Sequence, residues 1–191
     1  MVKVILSVVC VLFFHAGSVN ADSYFGYGVS ANNYKVEDPI GGTESKTDSA
    51  LVHFIYYSTL NRNTRWSVEV TNDDFSLDAS TTNIGQEVDY ISVNVGYGKR
   101  FALTRLFKPW VDVIGGIQNI DATGRHNVDA GGFLNQTFPN RSETVFNVGL
   151  SATEGFKLAD KVDLNLRLMY LTPLGDGIED LSFATFITYK F

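Results

Sequence analysis

Strict two-residue alternation limits what this chain can fold into more than any other feature, and it is clearest in the last eleven residues, Leu181 to Phe191. Phe191, Tyr189, Ile187, Thr185, Phe183 and Leu181 fall on one face and Lys190, Thr188, Phe186, Ala184 and Ser182 on the other, because successive side chains of a strand point to opposite sides. One face suits an apolar surround, the other a semi-polar interior. A soluble domain seldom exposes an aromatic residue at a fraying terminus, so the segment predicts a strand whose apolar face meets lipid.

The same period recurs in seven earlier segments. Tyr24 to Ala31 sets Phe25, Tyr27 and Val29 against Gly26, Gly28 and Ser30. Arg65 to Thr71 sets Trp66, Val68 and Val70 against Arg65, Ser67, Glu69 and Thr71, and Asp89 to Gly98 sets Ile91, Val93, Val95 and Tyr97 against Tyr90, Ser92, Asn94, Gly96 and Gly98. Trp110 to Asn119, Thr144 to Glu154 and Val162 to Thr172 repeat the pattern, with Asp112, Asn147, Asp163 and Arg167 on their polar faces. Asp48 to Ser58 is ambiguous, because Ala50, Val52, Phe54 and Tyr56 oppose Leu51, His53, Ile55 and Tyr57 and both faces are fairly apolar. Strands of roughly 9 to 11 residues suffice to cross a membrane when tilted.

The connections alternate in length. Asn32 to Thr47, Asn72 to Val88 and Ile120 to Glu143 are long, whereas Thr59 to Thr64, Lys99 to Pro109 and Gly155 to Lys161 are shorter, and Pro173 to Asp180 is intermediate. An up-and-down barrel with long outer loops and short inner turns produces this rhythm. An even strand number also leaves both termini at one end. The expected fold is all-β, an eight-stranded antiparallel up-and-down transmembrane β-barrel.

Residues 1–21 read as a cleaved signal peptide preceding the barrel domain at 22–191. Lys3 is followed by an apolar run from Val4 to Phe14 and by Val19-Asn20-Ala21, a pattern that directs export. The run is too short for a helix crossing roughly 30 Å of hydrocarbon. Cys10 lies inside the signal, so the mature chain has no thiol for disulfides or cysteine metal sites. Loss of Lys3 takes the net charge from -6 to -7, which argues against nucleic acid and against a polybasic membrane patch.

Several phrases resemble a known family. Phe191, with Tyr189 two before it and Ile187, Phe183 and Leu181 at further alternate positions, resembles the C-terminal signal read by the outer-membrane assembly machinery. Tyr24-Phe-Gly-Tyr-Gly28, Val95-Gly-Tyr-Gly98, the strand Pro109 to Gly116 and the stretch Gly155 to Arg167 are similar to the OmpA/OmpX-type small outer-membrane barrels of Gram-negative cell envelopes. The resemblance covers essentially the whole mature chain. It implies an integral outer-membrane protein, monomeric, with membrane lipid and the assembly machinery as partners and no cofactor. Its two-domain members add a cell-wall-binding domain after the barrel, and none is expected here.

An eight-stranded barrel is just wide enough for its own side chains. The inward set is read as His53, Arg65, Glu69, Asp112, Asp163, Arg167 and Lys190, and burial of both signs of charge requires pairing or trapped water. The expected role is structural or surface-interacting, through loops that contact host or surface ligands. A narrow ion or solute channel and a lipid A-modifying enzyme are the alternatives. The second needs a His and a Ser oriented by an acid, and no adjacent His-Ser pair exists for His53 or His126. No catalytic residue is assigned, and His126 with Asp129 does not define a metal site. A soluble lipocalin-like barrel would require the reverse facing, apolar inward and polar outward.

Overall fold

The computed structural model describes residues 22–38, 42–47, 51–77, 83–84, 86–105, 107–128 and 131–191. The signal segment 1–21, with Cys10, lies outside the described residues. Every regular element among them is a strand: β1 Asp22–Asp38, β2 Gly42–Thr47, β3 Val52–Asn61, β4 Thr64–Leu77, β5 Asn83–Ile84, β6 Gln86–Arg100, β7 Trp110–Ala122, β8 Arg125–Val128, β9 Leu134–Phe138, β10 Arg141–Ala159, β11 Val162–Pro173 and β12 Ile178–Lys190.

Eight of these strands form the wall. β1, β3, β4, β6, β7, β10, β11 and β12 pair antiparallel, each with the next, and β12 returns to β1 along a register from Tyr24 opposite Lys190 to Val36 opposite Ile178. Closure removes the sheet edges that would otherwise template aggregation. The first and last described residues, Asp22 and Phe191, lie at one end, together with the turns at 62–63, 101–105, 107–109 and 160–161.

The long connections are partly strand rather than loop. β1 runs to Asp38 and pairs with β2, β4 and β6 stay paired as far as Leu77 and Gln86, and β5, β8 and β9 form a small sheet of their own. The expected boundaries at Asn32, Asn72, Val88, Ile120 and Glu143 are therefore too close to the barrel's middle. Backbone pairing needs no apolar pattern on the outer face, so the hairpins continue as ladders after the alternation has faded.

Facing follows the alternation. Phe25, Trp66, Tyr97, Val113, Leu150, Leu168 and Phe183 are exposed on the outside, while Ser67, Ser92, Asn94, Asn147, Ser151 and Asn165 are buried within. This is the reverse of a lipocalin and excludes the inward-apolar arrangement.

β3 is the exception to the expected facing. Val52, Phe54 and Tyr56 are buried inward, and His53, expected in the lumen, is exposed on the outer surface beside Ile55. The cause is its neighbour: the register sets Gly28 opposite Phe54 and Val29 opposite His53. Gly28 leaves the space that the Phe54 ring fills, since a Cβ there would strike the Phe186 Cβ, come within 2.7 Å of Phe54 Cζ and within 2.8 Å of the Thr185 carbonyl. Gly28→Val should destabilise the barrel by about 1 to 3 kcal/mol through overpacking, read as a lower urea midpoint in detergent. An unchanged midpoint would mean the Phe54 and Phe186 rings move aside freely.

Candidate functional site

The lumen gathers buried charge from distant parts of the chain. β4 supplies Arg65 and Glu69, inward on either side of Ser67, β7 supplies Asp112 and β11 supplies Arg167, all nearly inaccessible to solvent. Arg65 Nε donates to Asp112 Oδ1 at 2.7 Å, its Nη2 bonds Asp112 Oδ2, and Nη2 also donates to Thr153 Oγ1 at 2.9 Å. The Ser151 hydroxyl donates to Asp112 Oδ2 at 2.8 Å. Arg167 Nη1 bonds Glu69 Oε2, and the Arg167 guanidinium lies 4.8 Å from the Phe54 ring centre and 5.4 Å from that of Phe186. Two fork-shaped cations thus face two carboxylates, the geometry that best recovers the cost of burying them.

Between the pairs lies a small cavity of about 10 Å³, lined by Tyr56, Glu69, Asn94, Asp112, Arg167 and Met169. Among the described residues Tyr56 Oη, Asn94 Oδ1 and Arg167 Nε have no hydrogen-bond partner. A polar space of that size suits about one water.

Toward the end opposite the termini the inward positions change character. The Tyr34 hydroxyl donates to Asp73 Oδ2 at 2.6 Å, Asn32 Nδ2 donates to both Asp180 oxygens at 3.0 and 2.9 Å, and Gln118 bonds the Ile178 backbone twice, at 2.8 and 3.1 Å. Around them Tyr34, Phe75, Val88, Tyr90, Ile120, Ala122 and Ile178 form a buried apolar cluster, with the Tyr34 and Phe75 rings stacked at 4.5 Å. The cluster closes that mouth of the lumen. Sequence reasoning missed it because it ended the strands at Ala31 and Thr71; carrying the same parity on through Asn32, Tyr34, Asp73 and Phe75 would have found it.

The other expected lumen residues sit elsewhere. Lys190 stands at the terminus-bearing mouth, with its Nζ 2.6 Å from Asp22 Oδ2, and Asp163 is half-buried opposite Thr188 at the same mouth. They lie there because Asp163 is the second residue of β11 and Lys190 the last of β12, at the same rim. His53 Nδ1 lies 2.6 Å from the Tyr27 hydroxyl on the outer face. Among the described residues no Ser or carboxylate hydrogen-bonds His53. The His126 side chain and Asp129 lie outside the described residues. Leu181, Phe183, Ile187, Tyr189 and Phe191 are all exposed on the outer face of the closing strand. At the end opposite the termini, Arg141 bonds Glu143 at 2.5 Å and holds its carboxyl below the usual carboxylate range.

The comparisons bear on the fold. No family model and no curated protein matches the sequence. Solved structures do. Ail, the attachment invasion locus protein of Yersinia pestis, superposes with a TM-score of 0.58 at 14% identity, covering 91% of this chain and 100% of that one. Neisserial surface protein A superposes with a TM-score of 0.58 at 13% identity, covering 87% of this chain and 97% of that one.

The fold is that of the small eight-stranded outer-membrane β-barrels. Within that fold, the ion pairs Arg65–Asp112 and Arg167–Glu69 fill the lumen of this barrel and the cluster around Tyr34 caps it.

Proposed function

We propose that this chain is an integral outer-membrane protein whose barrel is a closed scaffold and whose working surface is the end opposite the termini. One observation carries the reading: the lumen is blocked twice, by two buried ion pairs and by the apolar cluster of Tyr34, Phe75, Tyr90 and Ile178. A continuous water path needs both to part. A belt of Phe, Leu, Val and Tyr on the outer wall supports membrane insertion, as does a signal-like leader at 1–21 that would deliver the chain for assembly in the outer membrane with its termini inward. The expected role is structural or surface-interacting rather than enzymatic.

Charge narrows the kind of ligand. The described residues of segments 35–38, 42–47, 74–77, 83–84, 86–89, 121–128, 131–143 and 176–179, which lie toward the end opposite the termini, include ten carboxylates and four Lys or Arg. Ail has been solved in complex with the heparin analogue sucrose octasulfate, at a TM-score of 0.51 and 13% identity. For this chain the acid excess disfavours such polyanions and favours basic ligands.

Two measurements test the reading. Refolded protein in planar bilayers should give no sustained conductance steps; regular unit currents would replace the scaffold with a channel. Leu150→Arg, on the exposed outer wall, should cost roughly 2 to 4 kcal/mol if it lies near the bilayer midplane. A change within about 0.5 kcal/mol, usual for a water-facing site, would overturn membrane insertion.

A further inference from the structure

The connection between β6 and β7 is the longest at the terminus-bearing end, and from Lys99 to Pro109 it contains Lys99, Arg100, Arg105 and Lys108 and no carboxylate. It is well tied down. Arg100 N donates to the Asn63 carbonyl of the neighbouring turn at 3.0 Å, Phe101 N to the Pro109 carbonyl at 2.9 Å and Thr104 N to the Phe107 carbonyl at 3.1 Å. Phe107 N donates to Thr104 Oγ1 at 2.9 Å, and Lys108 N donates to Glu154 Oε2 on β10 at 3.0 Å.

Held in this shape, the turn exposes Phe101 at 45%, Leu103 at 65% and Phe107 at 44%. Beside it, Phe156 and Leu158 of β10 are exposed as well, continuing the outward row of Leu150 and Ala152. Arg100 is engaged over the Trp110 ring, 5.8 Å from its centre. Lys99, Arg105 and Lys108 have no ion-pair partner among the described residues.

An ordered turn facing only water has no reason to present apolar side chains among unneutralised cations. Both features fit one place, the boundary where acyl chains meet anionic headgroups. Apolar groups enter the hydrocarbon edge there, while long cationic side chains reach out to phosphates. Continuity with the outer apolar belt favours lipid over a protein partner, whose docking would end the belt at that rim.

We propose that the β6–β7 turn, with the adjoining end of β10, is a binding surface for the phosphate headgroups of anionic phospholipids in the leaflet at the terminus-bearing end. This rests on the membrane-spanning reading. One Lys or Arg near an anionic surface is worth about fivefold in binding, and the effect is screened as the Debye length falls from about 30 Å at 0.01 M salt to about 3 Å at 1 M.

The test uses the mature chain refolded into phosphatidylcholine vesicles carrying traces of spin-labelled phosphatidylglycerol or spin-labelled phosphatidylcholine. The wild type should immobilise the anionic lipid about fivefold or more in preference to the zwitterionic one, with the preference lost at high salt. Lys99→Gln, Arg105→Gln and Lys108→Gln together should bring the ratio close to one, and Arg105→Gln alone should lower it part of the way. Lys35→Gln, at the opposite end, should leave it unchanged. Equal immobilisation of the two lipids by the wild type, or a preference that survives the triple substitution, would overturn the proposal. A heat-sensitive gel band in pure phosphatidylcholine confirms insertion without any anionic lipid. Its absence there would count against the membrane-spanning reading rather than the headgroup site.

Discussion

Asp112→Ala should lower the stability of the folded barrel by roughly 3 to 5 kcal/mol, the range seen when one member of a buried ion pair is removed. Asp112 is almost wholly inaccessible and receives Arg65 through two nitrogens and Ser151 through its hydroxyl. Without it the Arg65 guanidinium would stay charged, since arginine does not deprotonate in proteins. Glu69 cannot serve as a substitute while it holds Arg167. Only neutral groups, Thr153 and the Trp110 ring 5.1 Å away, would then face a full positive charge.

The double substitution Arg65→Met with Asp112→Leu should recover most of that loss, because it removes both charges and fills the space with apolar groups. Urea unfolding in detergent, followed by tryptophan fluorescence and by the gel shift between unheated and boiled samples, measures both. A single substitution no worse than the double would show that water reaches Arg65 freely. The closed-lumen reading would then fail as well.

Deletion of Phe191 should reduce the folded outer-membrane population in cells far more than its side-chain burial of roughly 1.5 to 3 kcal/mol accounts for. The structure sharpens this expectation, because Phe191 is exposed at 61% and its main contribution to the wall is a backbone bond from its N to the Ser23 carbonyl at 3.2 Å. Little folded-state energy is at stake. The loss would be kinetic, arising when a poorly recognised chain is degraded before it assembles. Refolding from urea into detergent requires no assembly machinery, so there the deletion mutant should form a nearly normal barrel. Equal cellular yields of mutant and wild type would show that the terminal aromatic is not read. A mutant that also fails in detergent would make Phe191 a structural closing residue instead.

Alternation alone determined strand number, wall facing on seven of eight strands and the end at which the termini meet. Those features are local: a period of two and a connection length are properties of neighbouring residues, and a tilted strand in a closed antiparallel wall leaves little choice in how to satisfy them. It also placed Arg65, Glu69, Asp112 and Arg167 inward, because the last three each stand between apolar residues that must face outward and Arg65 shares its parity with Glu69 next to Trp66.

Tertiary structure decided what depends on pairing between strands far apart in the chain. His53 points outward because Gly28, 25 positions earlier, lies across from Phe54 and makes room for its ring; two similarly apolar faces on one strand hold no such information. Arg65 joins Asp112 and Arg167 joins Glu69 because the closed wall sets β7 two strands from β4 and β11 across the lumen from it. The apolar cap likewise exists only where five strands bring Tyr34, Phe75, Val88, Tyr90, Ile120, Ala122 and Ile178 to one level. Each of those residues, taken in its own segment, is one more position in an alternating strand, and only closure of the wall turns them into a core.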